Sequence, residues 1–106
     1  MKPVAVEVHD PEAWNALVAS FRHHSPLQGW GFGEVKAVTG WRPHRLRIER
    51  EGEAFACAQV LRRREYGLSF LYAPRGPALN DPADLEDAGV ALRAWAGGSE
   101  DRKSVV

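Results

Sequence analysis

The sequence predicts one α/β (α+β) domain in which a mainly antiparallel sheet packs against helices, in the order β-α-α-β-β-β-α. Two periodicities indicate this class. Apolar residues recur at helical spacing near both ends of the chain, and they alternate with polar residues in the middle. The 106 residues, 44% of them hydrophobic, are enough for one domain with its own core.

The first elements are predicted to be a short strand and an amphipathic helix. Val4, Val6 and Val8 alternate as in a strand. Asp10-Pro11 then combines an N-cap residue with proline at the first helical position. The apolar stripe behind it has the spacing i, i+3, i+4, i+7 and consists of Trp14, Leu17, Val18 and Phe21.

A second helical segment is predicted from Ser25-Pro26 to about Thr39, with Gly40 ending it. This segment contains three glycines, each of which costs about 1 kcal/mol relative to alanine inside a helix. We therefore expect tertiary contacts to hold its first turn.

A hairpin is predicted over residues 44–64, where the period changes to two. Leu46 and Ile48 alternate with charged residues, and Glu51-Gly52 forms the turn between the two strands. Residues 54–61 are nearly all apolar, which indicates a central strand covered on both faces.

A further strand and a last helix complete the predicted domain. The strand runs over residues 68–73 and stops at Pro74, and Asp81-Pro82 begins the helix as Asp10-Pro11 does. The domain spans residues 1–96, and residues 97–106 are predicted to be a disordered or unrelated tail. The apolar stripe of the last helix consists of Leu85, Ala88, Gly89, Leu92, Trp95 and Ala96.

The composition excludes several classes of protein. Fourteen basic and fourteen acidic residues cancel, so no bulk attraction to nucleic acid is expected. A single cysteine excludes an internal disulfide framework, and no apolar run approaches the roughly 20 residues of a membrane span. The sequence predicts a cytoplasmic protein without a membrane span.

No residue pattern predicts catalysis, a metal site or a cofactor. His23 and His24 are adjacent, so a regular helix cannot direct both at one metal ion, and His9 and His44 stand alone. Cys57 lies in the most apolar strand, where a thiol packs as a small hydrophobic group.

Three segments allow both a structural and a binding interpretation. The run of glycines from Gly29 to Gly33 fits close helix packing better than a phosphate loop, because it lacks the Lys-Ser/Thr of a P-loop. The arginines at 62–64 form a solvated rim or, together with Arg45 and Arg47, an anion site. The loop from Tyr72 to Pro77 is stiffened by prolines at a strand end, a common place for ligand-binding groups.

Three motifs in register resemble the Fem-type peptidoglycan aminoacyltransferases. The resemblance extends from about residue 4 to residue 96, and the order and separation of the motifs also agree. The motifs are Pro26-Leu27-Gln28-x-Trp30-x-x-Gly33-x-x-Lys36-x-x-x-Gly40-Trp41-x-Pro43, Ala58-Gln59-Val60-Leu61, and Tyr72-Ala73-Pro74-Arg75-Gly76-Pro77.

The resemblance implies a function and a set of substrate-binding residues. Fem-type enzymes build on GNAT-like acyltransferase domains and transfer an amino acid from aminoacyl-tRNA to a peptide amine of a peptidoglycan precursor. By resemblance, Lys36 and Trp41 lie near the diphosphate-sugar part of a UDP- or lipid-linked muramyl peptide. Tyr72, Arg75 and Gly76 correspond to a conserved loop of the same cleft. No cofactor is implied.

The resemblance covers only part of such an enzyme, since family members carry two of these domains. We expect the chain to form the first half of one GNAT-like domain. It would then carry part of the precursor-binding surface but not a complete active site. Aminoacyl-tRNA would be the donor only for a full-length protein. One alternative is a non-catalytic, self-associating module, a homodimer that meets along the exposed edge of residues 68–72 or across the Trp95 face of the last helix. The second alternative is a small acyltransferase whose active site is completed by a partner chain.

Overall fold

A computed structural model describes residues 2–97 and 103–104 of the chain. It confirms the predicted α/β class, with three helices on a mainly antiparallel sheet. Short 3-10 turns at Pro26–Gln28 and Pro82–Asp84 precede the second and third helices. The described elements are β1 (Val4–Glu7), α1 (Pro11–Ser20), α2 (Trp30–Val38), β2 (Arg42–Arg50), β3 (Glu53–Glu65), β4 (Leu68–Tyr72), β5 (Ala78–Leu79), α3 (Leu85–Gly97) and β6 (Lys103–Ser104).

The predicted helix-start signals all act as caps. The Asp10 carboxylate accepts a hydrogen bond from the Ala13 N–H at 2.8 Å. The Ser25 hydroxyl and the Asp81 carboxylate cap in the same way, but each begins a 3-10 turn rather than an α-helix. The predicted helical segment 25–39 is therefore split, because Gly29 adopts an extended conformation and becomes the N-cap of α2.

The β2–β3 hairpin is confirmed and forms the centre of the sheet. Both Glu51 and Gly52 have positive φ angles, 54° and 81°, which is the conformation of primed turns that match the twist of paired strands. Residues 54–61 all lie in β3, as predicted. The strand order is β1-β2-β3-β4-β6, and β5 pairs with β3 at one side of this path.

Helices cover both faces of β3, as its apolar sequence predicted. On one face α1 packs over Cys57, with Trp14 completely buried. On the other face α3 covers the side chains that alternate with Cys57 along the hairpin. The buried residues of the α3 side are Leu46, Ile48, Ala56, Ala58, Val60, Leu71, Leu79, Ala88, Ala91 and Ala96.

The predicted stripe of the last helix is wrong at its first residue. Leu85 is 54% exposed, whereas Ala91, which the prediction omitted, is buried. The 3-10 turn at Pro82–Asp84 delays the α-helix until Leu85, and the residues of α3 that are buried begin at Ala88. The buried face of α3 therefore consists of Ala88, Ala91 and Ala96.

Two sheet edges differ from the expectations. In β1, Ala5 packs against the α3 core, while Val4 and Val6 are about half exposed on the opposite face. Phe70 and Leu71 of β4 pair in parallel with Lys103–Ser104, so the predicted unpaired edge of residues 68–72 is wrong at these two positions.

The predicted tail, residues 97–106, falls mostly outside the described residues. Gly97 is the last residue of α3, and Lys103–Ser104 form β6. The remaining positions of this segment, 98–102 and 105–106, lie outside the described part of the chain. The boundary at residue 96 stays a prediction.

The side chain of His44 in β2 contacts both strand β1 and helix α3. Its ring contacts Trp95 edge-on, with 5.1 Å between the centroids, and its Nδ1 lies 3.2 Å from the Glu7 carboxylate. Burial lowers the pKa of His44, and the contact with Glu7 only partly opposes this effect. The folded protein therefore favours the neutral ring.

We predict that the free energy of unfolding falls when the pH drops through 6.5, the ordinary pKa of histidine, because the unfolded chain then binds a proton that buried His44 resists. Denaturant unfolding between pH 5 and pH 8 measures this slope. His44→Phe and His44→Gln do not titrate and should both reduce it. An identical slope in the variants and the unaltered chain would contradict the prediction.

Candidate functional site

The side-chain amide of Gln28 joins three segments of the chain. Gln28 is completely buried, and its Oε1 accepts a hydrogen bond from the Gln59 N–H of β3 at 2.7 Å. Its Nε2 donates to the Pro74 carbonyl at 2.7 Å. The loop that follows β4, where two of the predicted site residues lie, is thus attached to the centre of the sheet.

A second buried amide, that of Gln59, extends this network to α2. Its Nε2 donates to the Gly29 carbonyl at 2.9 Å, and its Oε1 accepts from Arg45 Nε at 2.8 Å. Arg45 Nη2 in turn contacts the Trp30 carbonyl and Glu34 Oε2, each at 3.0 Å. Its guanidinium also lies 3.6 Å from the centroid of the Trp30 ring.

Arg45 is therefore not part of an anion site, which corrects one of the sequence interpretations. The residue is only 6% exposed. Burial lowers the pKa of its guanidinium, and the hydrogen bond and charge of Glu34 counteract that effect. Arg47 is likewise paired, with Glu49 at 2.8 Å.

Two motif glycines have no room for a side chain. A Cβ on Gly33 would lie 2.3 Å from Gln59 Oε1 and 2.7 Å from Arg45 Nη2. A Cβ on Gly76 would lie 2.9 Å from Gln28 Oε1. The structure supports the packing interpretation of the glycine run, because Gly33 lets α2 approach the sheet.

Trp41 and Tyr72, two of the predicted substrate-binding residues, are in ring contact near the end of α2. The backbone of Lys36 adjoins them, while its Nζ lies 5.6 Å from the centroid of the Phe32 ring. The rings of Trp41 and Tyr72 have centroids 6.5 Å apart and are tilted by 53°. The Trp41 N–H donates to the Lys36 carbonyl at 3.2 Å, which places the start of β2 against the last turn of α2. The Arg63 guanidinium lies 5.5 Å from the centroid of the Trp41 ring. We call Lys36, Trp41 and Tyr72 the aromatic corner.

Arg75 and Gly76 lie in the loop beyond the aromatic corner. Gly76 donates its N–H to the Ala73 carbonyl at 3.2 Å and sits against Gln28. Arg75 has a positive φ angle of 58° and lines a cleft of about 610 Å³ that neither Lys36 nor Trp41 lines. Besides Arg75, the cleft is lined by Arg22, His23, His24, Ser25, Pro26, Leu27 and Pro77.

The basic residues opposite Arg75 were missed by sequence reasoning. Arg22, His23 and His24 precede a helix start and read as ordinary surface residues. A backbone bridge between His23 and Leu79 brings them to the Arg75 loop. No local pattern indicates this pairing, because the two segments are more than fifty residues apart.

An apolar groove of about 360 Å³ lies on the other face, between α3 and the end of β4. Leu85, which is 54% exposed, lines it, and so does Tyr72 of the aromatic corner. The other lining residues are Val60, Leu71, Ala73, Gly76, Pro77, Gly89, Leu92, Arg93, Trp95 and Ala96.

The described part of the chain contains no reactive cysteine, no metal-binding cluster and no membrane-spanning helix. Cys57 is buried, and burial raises the pKa of its thiol to about 12, so it packs as the sequence predicts. Within residues 2–97 no three His, Cys, Asp or Glu side chains are grouped so that they could hold a metal ion. Each helix in this range is too short or too polar to span a bilayer.

The fold is similar to the crystal structure of FemX. The similarity covers 90% of this chain with a TM-score of 0.69 and 25% sequence identity. The chain spans 23% of the length of that protein. No family model and no curated protein matches the chain. The structural comparison confirms the resemblance to Fem-type proteins that the three motifs indicate, and the chain has a Fem-like fold.

We predict that Gly33→Ala lowers the free energy of unfolding by about 1–3 kcal/mol, because the new methyl group overpacks the contact with Gln59 and Arg45. Gly31→Ala in the same helix is the matched control, since no atom lies within 4 Å of its Cβ position. Its helix propensity should leave stability unchanged or raise it by up to about 1 kcal/mol. Denaturant unfolding of both variants measures the difference, and equal stabilities would contradict the packing role of Gly33.

Proposed function

We propose that the chain forms part of the precursor-binding surface of a Fem-like aminoacyltransferase, which transfers an amino acid from aminoacyl-tRNA to a peptidoglycan precursor peptide. The observation that carries the proposal is the aromatic corner, in which the rings of Trp41 and Tyr72 lie beside the backbone of Lys36 within a Fem-like fold. Two of the three Fem-type motifs contribute side chains to it.

The motif residues divide into two groups, and the division supports a binding role. The side chains of Gln28 and Gln59 are buried in hydrogen bonds within the protein, and Gly33 and Gly76 allow close packing. In contrast, no side chain of Lys36, Trp41, Tyr72 or Arg75 makes a hydrogen bond or ion pair to another described residue. Polar groups without a structural partner are available to a ligand.

The chemistry of the aromatic corner matches a sugar linked to a diphosphate. The ammonium group of Lys36 supplies a positive charge for a phosphate. Trp41 supplies a flat apolar face on which a sugar or base can stack, and Tyr72 is 43% exposed beside it. Arg63, close to the Trp41 ring, adds positive charge although it is paired with Glu65.

The loop after β4 contributes the second part of the proposed surface. Gly76 seats the loop against Gln28, and Arg75 offers a guanidinium to phosphate. The proposal gives the chain a binding role and no catalytic residue. Because aminoacyl-tRNA is the donor in such a reaction, it also places the chain in the cytoplasm.

We predict that Lys36→Ala and Arg75→Ala each weaken binding of a UDP-linked muramyl pentapeptide by about 1.5–3 kcal/mol, the contribution of a charge-assisted contact. Isothermal titration calorimetry measures the affinity. The melting temperature should change little, because neither side chain makes a hydrogen bond or ion pair to another described residue. Lys2→Ala removes an exposed lysine outside the proposed surface and is the matched control for charge. Unchanged affinity in both variants would refute the proposed roles, and a large loss of stability would assign them to structure instead.

A self-associating module is the second candidate, and the apolar groove beside α3 favours it. Leu85 and Tyr72 line this groove and are 54% and 43% exposed, an unusual exposure for large side chains that line one concave surface. The part of β4 that pairs with β6 is not available as a dimer edge. The α3 face is therefore the surface on which a second copy of the chain would meet the first.

We predict a dimer with two-fold symmetry that Leu85→Glu disrupts by placing a charge in the groove. Light scattering at micromolar concentration measures the mass. Val38→Glu is the control, because Val38 is 87% exposed on α2 and does not line the groove. A folded monomer of 11.8 kDa in the unaltered chain would contradict self-association.

A further inference from the structure

We propose that the turn between β3 and β4 docks the protein on the surface of a bilayer that contains anionic lipids. We define the hairpin tip as Tyr66 and Leu68 together with Arg62 and Arg64 of β3. It includes none of the residues that the proposed function assigns to the muramyl peptide, and it does not rest on that function.

The hairpin tip presents apolar surface to water. Tyr66 is the most exposed large hydrophobic residue in the described part of the chain, at 99%, and Leu68 is 43% exposed. Neither residue lines the two cavities described above, so the surface is convex and suits a flat partner rather than a small molecule. Tyrosine is enriched at membrane–water interfaces, because its ring is apolar and its hydroxyl is polar.

The other hairpin of the sheet provides a direct comparison. Glu51-Gly52 and Tyr66-Gly67 are both two-residue turns with positive φ angles, at positions where asparagine, aspartate or glycine is favoured. The first position holds a charged residue in one turn and an aromatic residue in the other. Because Tyr66 is almost fully exposed, no packing within the chain offsets the strain of its φ angle of 53°. Its ring is therefore available to an external apolar surface.

Charge is distributed unequally between the two ends of β3, although the chain as a whole is neutral. The end at the hairpin tip has three consecutive arginines at 62–64 and one acid, Glu65. At the opposite end, around the turn at 51–52, acids outnumber bases. The acids there are Glu49, Glu51, Glu53, Asp84 and Asp87, and the bases are Arg47 and Arg50. This polarity turns the hairpin tip toward an anionic surface and the acidic end away from it.

The pairing of β2 with β3 adds a further basic group. Arg42 lies directly opposite Arg62 in the antiparallel register. Like charges in this position destabilise a sheet, and neither arginine forms an ion pair with another described residue. Lipid phosphates between the two guanidinium groups would relieve this repulsion.

The dimensions of the hairpin fit those of a bilayer surface. At about 3.3 Å per residue, Arg64 lies about 7 Å and Arg62 about 13 Å from Tyr66 along the strand. The headgroup region of one leaflet is about 5–8 Å thick. When the Tyr66 ring reaches the edge of the hydrocarbon, Arg64 is level with the headgroups and Arg62 lies just outside them, within reach of the phosphates.

Co-sedimentation of the purified chain with lipid vesicles tests the proposal. The vesicles consist of phosphatidylcholine alone or with one quarter phosphatidylglycerol. At physiological salt we expect binding to the anionic vesicles, and at least about fivefold weaker binding to phosphatidylcholine alone. Tyr66→Asn preserves the turn and should weaken binding at least about fivefold, whereas Tyr66→Trp should retain it. Arg62→Gln should weaken binding about fivefold, the contribution of one basic residue near an anionic surface.

Two matched variants and a stability measurement serve as controls. Glu51→Asn changes the equivalent position of the other turn and should not weaken binding. Arg22→Gln removes an exposed arginine outside the hairpin tip and should leave binding within about twofold. The melting temperature of Tyr66→Asn should not fall, since the Tyr66 side chain is not packed within the chain.

Four results would overturn the proposal. They are absence of binding to the anionic vesicles, equal binding to phosphatidylcholine alone, equal losses in Arg22→Gln and Arg62→Gln, and binding that Tyr66→Asn leaves unchanged or that Tyr66→Trp weakens equally. Binding that depends on the arginines but not on Tyr66 would assign the surface to polyanions such as RNA instead. The vesicles contain no muramyl peptide, so failure here is distinguishable from failure of the proposed function.

Discussion

The amide of Gln28 is completely buried, and it must be bonded at once to Gln59 of β3 and to the carbonyl of Pro74. A buried amide that loses its partners costs about 1–3 kcal/mol, so the first connection, the central strand and the loop after β4 are placed together or not at all. The side chain of Gln59 is hydrogen-bonded to Arg45 and to the Gly29 carbonyl, so the positions of Arg45 and of the start of α2 are fixed by the same network. The positions of the loop after β4 and of the start of α2 therefore depend on this network.

The network separates two kinds of motif residue that look alike in the sequence. Gly33 and Gly76 are small because buried amide and guanidinium groups pass within 3 Å of their Cβ positions. The side chains of Lys36 and Trp41 make no hydrogen bond to another described residue, and the backbones of the two residues meet where α2 ends and β2 begins. The aromatic corner and the cleft that Arg75 lines are separate, since Lys36, Trp41 and Tyr72 do not line that cleft.

Much of the fold could be predicted because its signals are local. Asp10-Pro11, the period of two in 44–50 and the turn at Glu51-Gly52 each act within a few residues, and all three are found in the structure. The errors arose where a local signal was right but its extent depended on packing. Asp81-Pro82 does start a helical segment, yet the 3-10 turn shifts the buried stripe from Leu85 to Ala88 and Ala91. The small β5 and β6 have too few residues to show a period.

The sequence by itself determined the α/β class, the central hairpin, the helix starts and the Fem-type motifs, because each rests on neighbouring residues. Only the tertiary structure decided that Arg45 is buried beside Glu34, and that Arg22 and His23 face Arg75 across a cleft. The hydrogen bond from Arg22 to Asn80 joins residues 58 positions apart. Contacts of this range depend on how helices and loops dock on the sheet, and the free energy of that docking is spread over the whole core rather than written in a local pattern.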